Sequence, residues 1–329
     1  MSMSGGDDTD RGVRALRVAG VQLASRLGRI HENLAQATGY AEEAAANGVE
    51  LLLFHELMPG GYAWDESAWC GAEPSDGATA SWLRETAGRL HLWIGTSFLE
   101  ASGEDFWNTF ALVAPDGTEA GRVRKEFPSM YEARVFRGRH GSHVIDTALG
   151  RIGVAICFDA HTAAVACALV EADVDLLLAP HCYCVPSHPS RAVSAADIER
   201  LVRNVAGIAP LYARTLGIPA LVTNRVGAWD TPKGAGYTFA GQATIADSDG
   251  TVVAHLDDRA GMVSALIHLD PARKTHAAPR AYSRWIYPGP PGREALRLIE
   301  WWEGRRYRGA GERRREAVRL ASRAEAARP

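Results

Sequence analysis

Residues 150–159 read GRIGVAICFD, a run with one charge at each end and apolar side chains between. Strict alternation would mark a strand with one wet face; a nearly continuous apolar run suits a strand buried on both faces. Four other stretches share the pattern: LRVAGVQLA (16–24), VELLLF (49–54), VDLLLAP (174–180) and IPALVTNRV (218–226). Between them lie helix-like stretches over residues 31–47, with Gly48 as a stop signal, and over 79–89, 162–171 and 191–216, the last ending near Gly217 and Pro219. LWIGTSFLE (92–100), the segments flanking the PDG turn at 115–117 and those flanking DSDG at 247–250 read as strands and hairpins, as does GMVSALIHL (261–269). Strand–helix–strand units mixed with hairpins, and no long linker, predict one α/β domain over residues 15–291, with sheets inside and helices outside. Residues 1–14 read as a disordered tail and 292–329 as a basic helical extension.

Composition excludes several classes. Of 329 residues, 47% are apolar and 23% charged, ample for a core and against disorder across the chain. A net charge of −3 argues against a dedicated nucleic-acid binder. No apolar run approaches the roughly 18 residues of a membrane-spanning helix. The start, MSMSGGDDTD, is acidic and lacks the apolar stretch of a secretory signal. Five cysteines make a poor disulfide framework, so a reducing cytoplasm is expected. Charge is unevenly spread: residues 293–329 hold eleven Arg and six Glu, a net +5, leaving −8 for the rest. This segment reads as one or two solvated helices docking through Leu296, Ile299, Trp301 and Trp302, with a subunit contact or a frayed tail as the alternative.

Four residues stand out chemically. Cys157 closes an apolar strand, and in α/β proteins the carboxyl ends of strands face the ligand crevice; alone, it reads first as a small buried hydrophobe. Glu56 follows the apolar run LLLFH, where a carboxylate needs a partner or a task. Lys125 and Glu132 lie seven residues apart in RVRKEFPSMYEARVF (122–136) and alone could be surface residues.

Taken together, FHELMPGGY (54–62), RVRKEFPSMYEARVF (122–136) and GRIGVAICFD (150–159) resemble the carbon–nitrogen hydrolase family, or nitrilase superfamily. In that family a Glu, a Lys and a Cys follow one another on successive core segments, positions held here by Glu56, Lys125 and Cys157; a second family Glu matches Glu132. GVQLA (20–24), LVTNRVG (221–227) and FAGQATIADSDGTVVA (239–254) extend the resemblance over residues 16–270. It implies a four-layer α-β-β-α sandwich, no metal or cofactor, and a homodimer or larger assembly.

The chemistry implied is coherent. A thiol near its free pKa is only a few per cent thiolate at neutral pH. Glu56 would take its proton and later activate water. Lys125 and the backbone N–H of Phe158 would stabilise the oxyanion, and Glu132 would orient Lys125 or the substrate nitrogen. True nitrilases usually carry Trp-Glu after the nucleophile; Phe158 and Asp159 here favour a small linear amide or N-carbamoyl substrate over a nitrile. A nitrilase, an acyltransferase using the same acyl-enzyme and a catalytically silent binding protein are the alternatives. The Pro-Glu pair that many members carry after the Cys is missing from CFDAHTAAVA (157–166). Tyr62 and Trp64 are expected as pocket walls or core, and His181 and Cys182 as pocket lining in HCYCVPSHPSR (181–191), whose spacing is not a usual zinc pattern. Cys70 and Cys167 are expected to pack.

Overall fold

The computed structural model describes residues 12–191, 193–229, 231–289 and 293–323. The expected tail at 1–14 falls almost wholly outside them. Two large sheets face each other. The first has seven strands, ordered Gly261–Leu269, Arg14–Gln22, Leu51–Leu53, Trp93–Ser102, Asp105–Val113 and Glu119–Arg124, with Ala72–Pro74 paired to Trp93–Ser102. The second has six, ordered Val252–His255, Thr244–Ala246, Ala220–Asn224, Leu176–His181, Gly150–Val154 and Val144–Thr147. A small three-stranded sheet of Cys184–Pro186, Tyr237–Ala240 and Val226–Ala228 lies beside them.

The apolar runs are unbroken because each strand serves two cores. Leu16 and Val18 join the layer between the sheets, whereas Ala19 and Val21 face the helices Ile30–Ala46 and Ala78–Leu90. Leu51 and Leu53 point inward, Leu52 and Phe54 outward. In the other sheet Ile152, Val154, Leu176, Leu178 and Leu221 fill the same central layer. Ala155, Leu177, Ala179, Ala220 and Val222 meet the helices Ala163–Glu171 and Ile208–Leu216. The period of two along a strand thus builds three apolar layers from two sheets, and the architecture is the expected α-β-β-α sandwich. The sheets approach closely at Gly20, where a Cβ would stand 2.9 Å from Thr223 Cγ2.

Three expectations change. The helix read over 191–216 starts at Ala195, behind a Ser194–Asp197 capping box, and breaks at Gly207 into Ala195–Ala206 and Ile208–Leu216. Pro210 explains the break: it has no N–H to continue the first helix but fits the first turn of a new one. In the C-terminal extension, the helices Leu296–Gly309 and Gly311–Arg323 dock through Glu303, Tyr307, Arg314 and Val318, while Trp301 and Trp302 stand 55% and 57% exposed. Cys70 and Cys167 are exposed, so neither packs in the core.

Candidate active site

Glu56, Lys125, Glu132 and Cys157 meet where segments of both sheets end. Glu56 follows the strand Leu51–Leu53, Lys125 follows Glu119–Arg124, and Cys157 opens the one-turn helix Cys157–His161 just beyond Gly150–Val154. Glu132 lies in the short turn Met130–Arg134, entered through a capping box: the Ser129 N–H donates to Glu132 Oε2 at 2.7 Å. Three of these four segments contain a non-glycine residue in the left-handed region, at φ 49° in each: Leu57, Met130 and Cys157 itself. Such conformations cost about 1–2 kcal/mol each and persist where surrounding structure enforces them, characteristically at functional sites.

Lys125 is fully buried between two carboxylates, its Nζ 2.8 Å from Glu56 Oε1 and 2.7 Å from Glu132 Oε2. Asn108 Nδ2 donates to Glu56 Oε1 at 2.7 Å, and the Cys182 N–H donates to Glu56 Oε2 at 2.7 Å. The Cys157 thiol completes the set around Glu56. Tyr62 donates to Glu132 Oε1 at 2.7 Å, and Trp64 Nε1 donates to the Tyr62 hydroxyl at 3.1 Å.

Burial dominates the electrostatics. It raises the Glu56 pKa above the usual carboxylate value, with Glu132 adding to the rise and Lys125 opposing it. It also pushes the Cys157 thiol well up, reinforced by Glu56 and opposed by Lys125. Burial alone would pull Lys125 down, but Glu132 and Glu56 hold it well above its ordinary value. The resting arrangement is therefore a neutral thiol against a carboxylate with raised proton affinity, beside a fixed ammonium. That is a base, a nucleophile and a positive charge in one dry volume.

Asp159 carries part of the geometry. Its carboxylate accepts the Glu126 and Phe127 N–H groups at 3.1 and 2.9 Å, tying the chain after Lys125 to the nucleophile turn. Burial raises its pKa to about 7. The Phe158 ring meets Trp285 edge-on at 5.0 Å, and its N–H follows the nucleophile in the turn.

A second buried polar network lies on the other side of the turn. His181 Nδ1 is 2.8 Å from Ala179 O, a pure acceptor, so that nitrogen carries the proton. His181 Nε2 must then accept from His161 Nε2 at 3.2 Å, leaving His161 Nδ1 to accept from the Tyr287 hydroxyl at 2.8 Å. With both imidazoles held neutral by burial, the Ala179 carbonyl at one end fixes every proton in this chain. Burial lowers His181 to about 4, and burial with the neighbouring His181 lowers His161 well below its usual value. His55, beside Glu56, is likewise lowered to about 3 by burial.

Of the residues expected from sequence, Glu56, Lys125, Glu132, Cys157, Tyr62 and Cys182 converge. Trp64 joins through Tyr62, against Trp229 at 4.4 Å between ring centroids. His181 and Cys182, expected as pocket lining, have their polar atoms engaged internally; the Cys182 thiol donates to Glu56 O at 2.9 Å. Sequence reading missed Asn108, whose signal was a lone amide in the apolar strand FWNTFALV (106–113). It also missed the Ser129-x-x-Glu132 capping signature and His161. Among the described residues no group of three or more His, Cys, Asp or Glu is arranged to hold a metal ion. No described helix is long and apolar enough to cross a membrane.

The class follows from this fold and this site. The family model for carbon–nitrogen hydrolases matches residues 17–277, and the chain belongs to that family. It is a hydrolase of carbon–nitrogen bonds other than peptide bonds. More particularly, it is 30% identical over 247 residues to an N-carbamoylputrescine amidase of Arabidopsis thaliana, covering 71% of this chain and 80% of that protein. It is 27% identical over 249 residues to a chloroplastic omega-amidase of the same plant, covering 71% of this chain and 63% of the relative. Among solved structures, a carbon–nitrogen hydrolase from Helicobacter pylori G27 shares the fold with a TM-score of 0.67 at 21% identity, over 79% of this chain and 91% of that one. An amidase from Nesterenkonia sp. does so at 0.64 and 20%, over 78% and 91%.

Proposed function

We propose that this protein hydrolyses a small linear amide or N-carbamoyl compound through a thioester on Cys157. The observation that carries the reading is the buried Glu56–Lys125–Glu132 cluster against the Cys157 thiol. As the thiol attacks the carbonyl carbon, its proton passes to Glu56, whose raised proton affinity suits it to receive one. The oxyanion forms between the Lys125 ammonium and the Phe158 N–H. Collapse of the tetrahedral intermediate breaks the C–N bond, and Glu56 returns the proton to the leaving ammonia or amine. Water then attacks the thioester, again deprotonated by Glu56, releasing the acid and restoring the thiol. The cycle draws on side chains, the Phe158 N–H and water. Tyr62 and Trp64 wall the substrate on the Glu132 side, and the resemblance to N-carbamoylputrescine amidases and an omega-amidase supports the amide and ureido classes.

The chain acts in the cytoplasm, where its five free thiols persist. It forms a homodimer or larger assembly through the stripe Leu298, Trp301 and Trp302, which lies opposite the docked residues Glu303 and Tyr307 and stands 55–69% exposed. Replacing both tryptophans with Ser is expected to lower the mass measured by light scattering; an unchanged mass removes the contact. For activity, ammonia release is measured with amides, ureido acids and nitriles, in the presence and absence of added amine. Release from amides or ureido acids that vanishes in Cys157→Ala is expected. Full activity in that variant overturns the reading, and acyl product appearing only with added amine makes the protein a transferase.

A further inference from the structure

The C-terminal helices lie outside residues 17–277, the part of the chain that the family model matches. They pack on the turn that carries Glu132 and on the strand whose Asn108 donates to Glu56. The helix Leu296–Gly309 lies against the turn Met130–Arg134, which carries Glu132. Gly311–Arg323 lies against the strands Trp93–Ser102 and Asp105–Val113, the second of which carries Asn108.

One buried hydroxyl links the two segments. Tyr307 is 2% exposed. Its hydroxyl accepts the Phe106 N–H at 3.0 Å and donates to Asp105 Oδ1 at 3.1 Å. Asp105 Oδ2 in turn accepts from Arg137 NH1 at 2.8 Å, and the Arg137 N–H donates to Phe106 O at 3.0 Å. Arg137 lies five residues beyond Glu132, and Asn108 two residues beyond Phe106, on the same face of its strand. Arg314 from the second helix reaches the same point, with Nε 3.1 Å from Glu104 O and 3.4 Å from Asp105 Oδ1. On the turn itself, Arg134 stands between Glu66 at 3.5 Å and Glu303 of the helix at 4.0 Å.

We propose that the C-terminal helical pair is a brace for the catalytic carboxylates. Tyr307 is its positioning residue, setting Asn108 against Glu56 and the Glu132 turn against Lys125. The proposal rests on the catalytic roles given above. Both carboxylates meet Lys125 at under 3 Å. A shift of the strand start or the turn by a fraction of an ångström therefore alters the charge balance at Cys157 and the placement of the oxyanion donor, and displacements of about 1 Å can cost about a hundredfold in rate.

The test uses the full chain with Tyr307→Phe, beside Val318→Ala, which trims the buried packing of the second helix and keeps the hydroxyl. Three quantities are read: melting temperature, kcat and KM on the best substrate, and the pH profile of Cys157 alkylation by iodoacetamide. Tyr307→Phe is expected to lower kcat about tenfold with KM within about twofold, and to shift the alkylation profile. Val318→Ala is expected to lose melting temperature while keeping both kcat and the profile. Wild-type kcat and profile in Tyr307→Phe overturn the brace, as does loss of kcat in both variants in proportion to lost stability. Should the wild type hydrolyse none of the amides, the functional reading fails, while the alkylation profile still decides on the brace.

Discussion

Two buried polar networks flank Cys157 and solve burial in opposite ways. On one side, Glu56, Lys125 and Glu132 place two carboxylates on one ammonium. On the other, Tyr287, His161, His181 and the Ala179 carbonyl form a neutral chain in which every donor has its acceptor. The difference separates chemistry from orientation. The charged cluster holds one carboxylate more than its ammonium balances, so it has capacity to take up a proton. The neutral chain is saturated and can only hold His161, the end of the nucleophile turn, against His181, the residue before the Cys182 N–H that binds Glu56. An unpaired buried charge is costly, so the ionic side persists where function requires it.

The comparison breaks most visibly at Lys125. Lys125→Met leaves two carboxylates buried without their cation, and losing one partner of a buried ion pair costs about 3–5 kcal/mol. Hydrolysis is expected to disappear, and the denaturation midpoint to fall by a corresponding amount in urea titration. Glu56→Gln is the next largest. A general base contributes about 10²–10⁴ in rate, so kcat/KM is expected to drop within that range with the fold retained by circular dichroism. In the wild type the acid limb of kcat/KM is expected above the ordinary carboxylate range, because burial raises Glu56. A limb near the ordinary value of about 4.3 would count against Glu56 as the base.

The neutral side is expected to respond in stability more than in proton affinity. His161→Phe removes the middle of the chain and leaves His181 Nε2 and the Tyr287 hydroxyl unpaired. An unsatisfied buried group costs about 1–3 kcal/mol. The melting temperature is expected to fall while the pH profile of Cys157 alkylation stays in place; a displaced profile would make this chain part of the chemistry. The same network sets a smaller acid effect. His161 and His181 titrate lower folded than unfolded, so the unfolded chain binds protons first as pH falls. Their stabilising contribution is complete above the unfolded value of about 6.5 and is lost as pH falls toward about 4. Asp159 has the opposite sign. Its folded pKa of about 7 lies above the unfolded value, so its contribution is lost as pH rises toward 7. Asp159→Asn is expected to flatten that part of the stability–pH curve in calorimetry, and an unchanged slope would show Asp159 ionised in the fold.

The same contrast explains how much was legible in the sequence. The layered fold could be read because buried strands announce themselves as unbroken apolar runs, and GRIGVAICFD (150–159) is one of them. Glu56 and Lys125 could be read because the segments carrying them, with that of Cys157, keep a recognisable order. The neutral chain could not. His161, His181 and Tyr287 come from distant segments, and their pairing exists only once the sheet brings residues 126 positions apart into contact. Gly207 and Pro210 lay in plain view, yet a helical pattern on both sides of them masked the break. The exposure of Trp301 and Trp302 depended on which face of the C-terminal helix met the body. The buried face carries Tyr307, hydrogen-bonded to Asp105 and Phe106, and leaves the two tryptophans outside.

The central claim is that Glu56 and Lys125 make Cys157 the acyl-carrying nucleophile. Rapid quenching of the protein with amides, ureido acids and nitriles, followed by intact-mass and peptide analysis, tests it most directly. An acyl adduct on the peptide containing Cys157 is expected from an amide or ureido compound, with ammonia or amine released in equal amount, and adduct formation slowed about 10²–10⁴-fold in Glu56→Gln. Turnover with Cys157 unmodified, or an adduct carried by Cys182 or Cys184 instead, would contradict it.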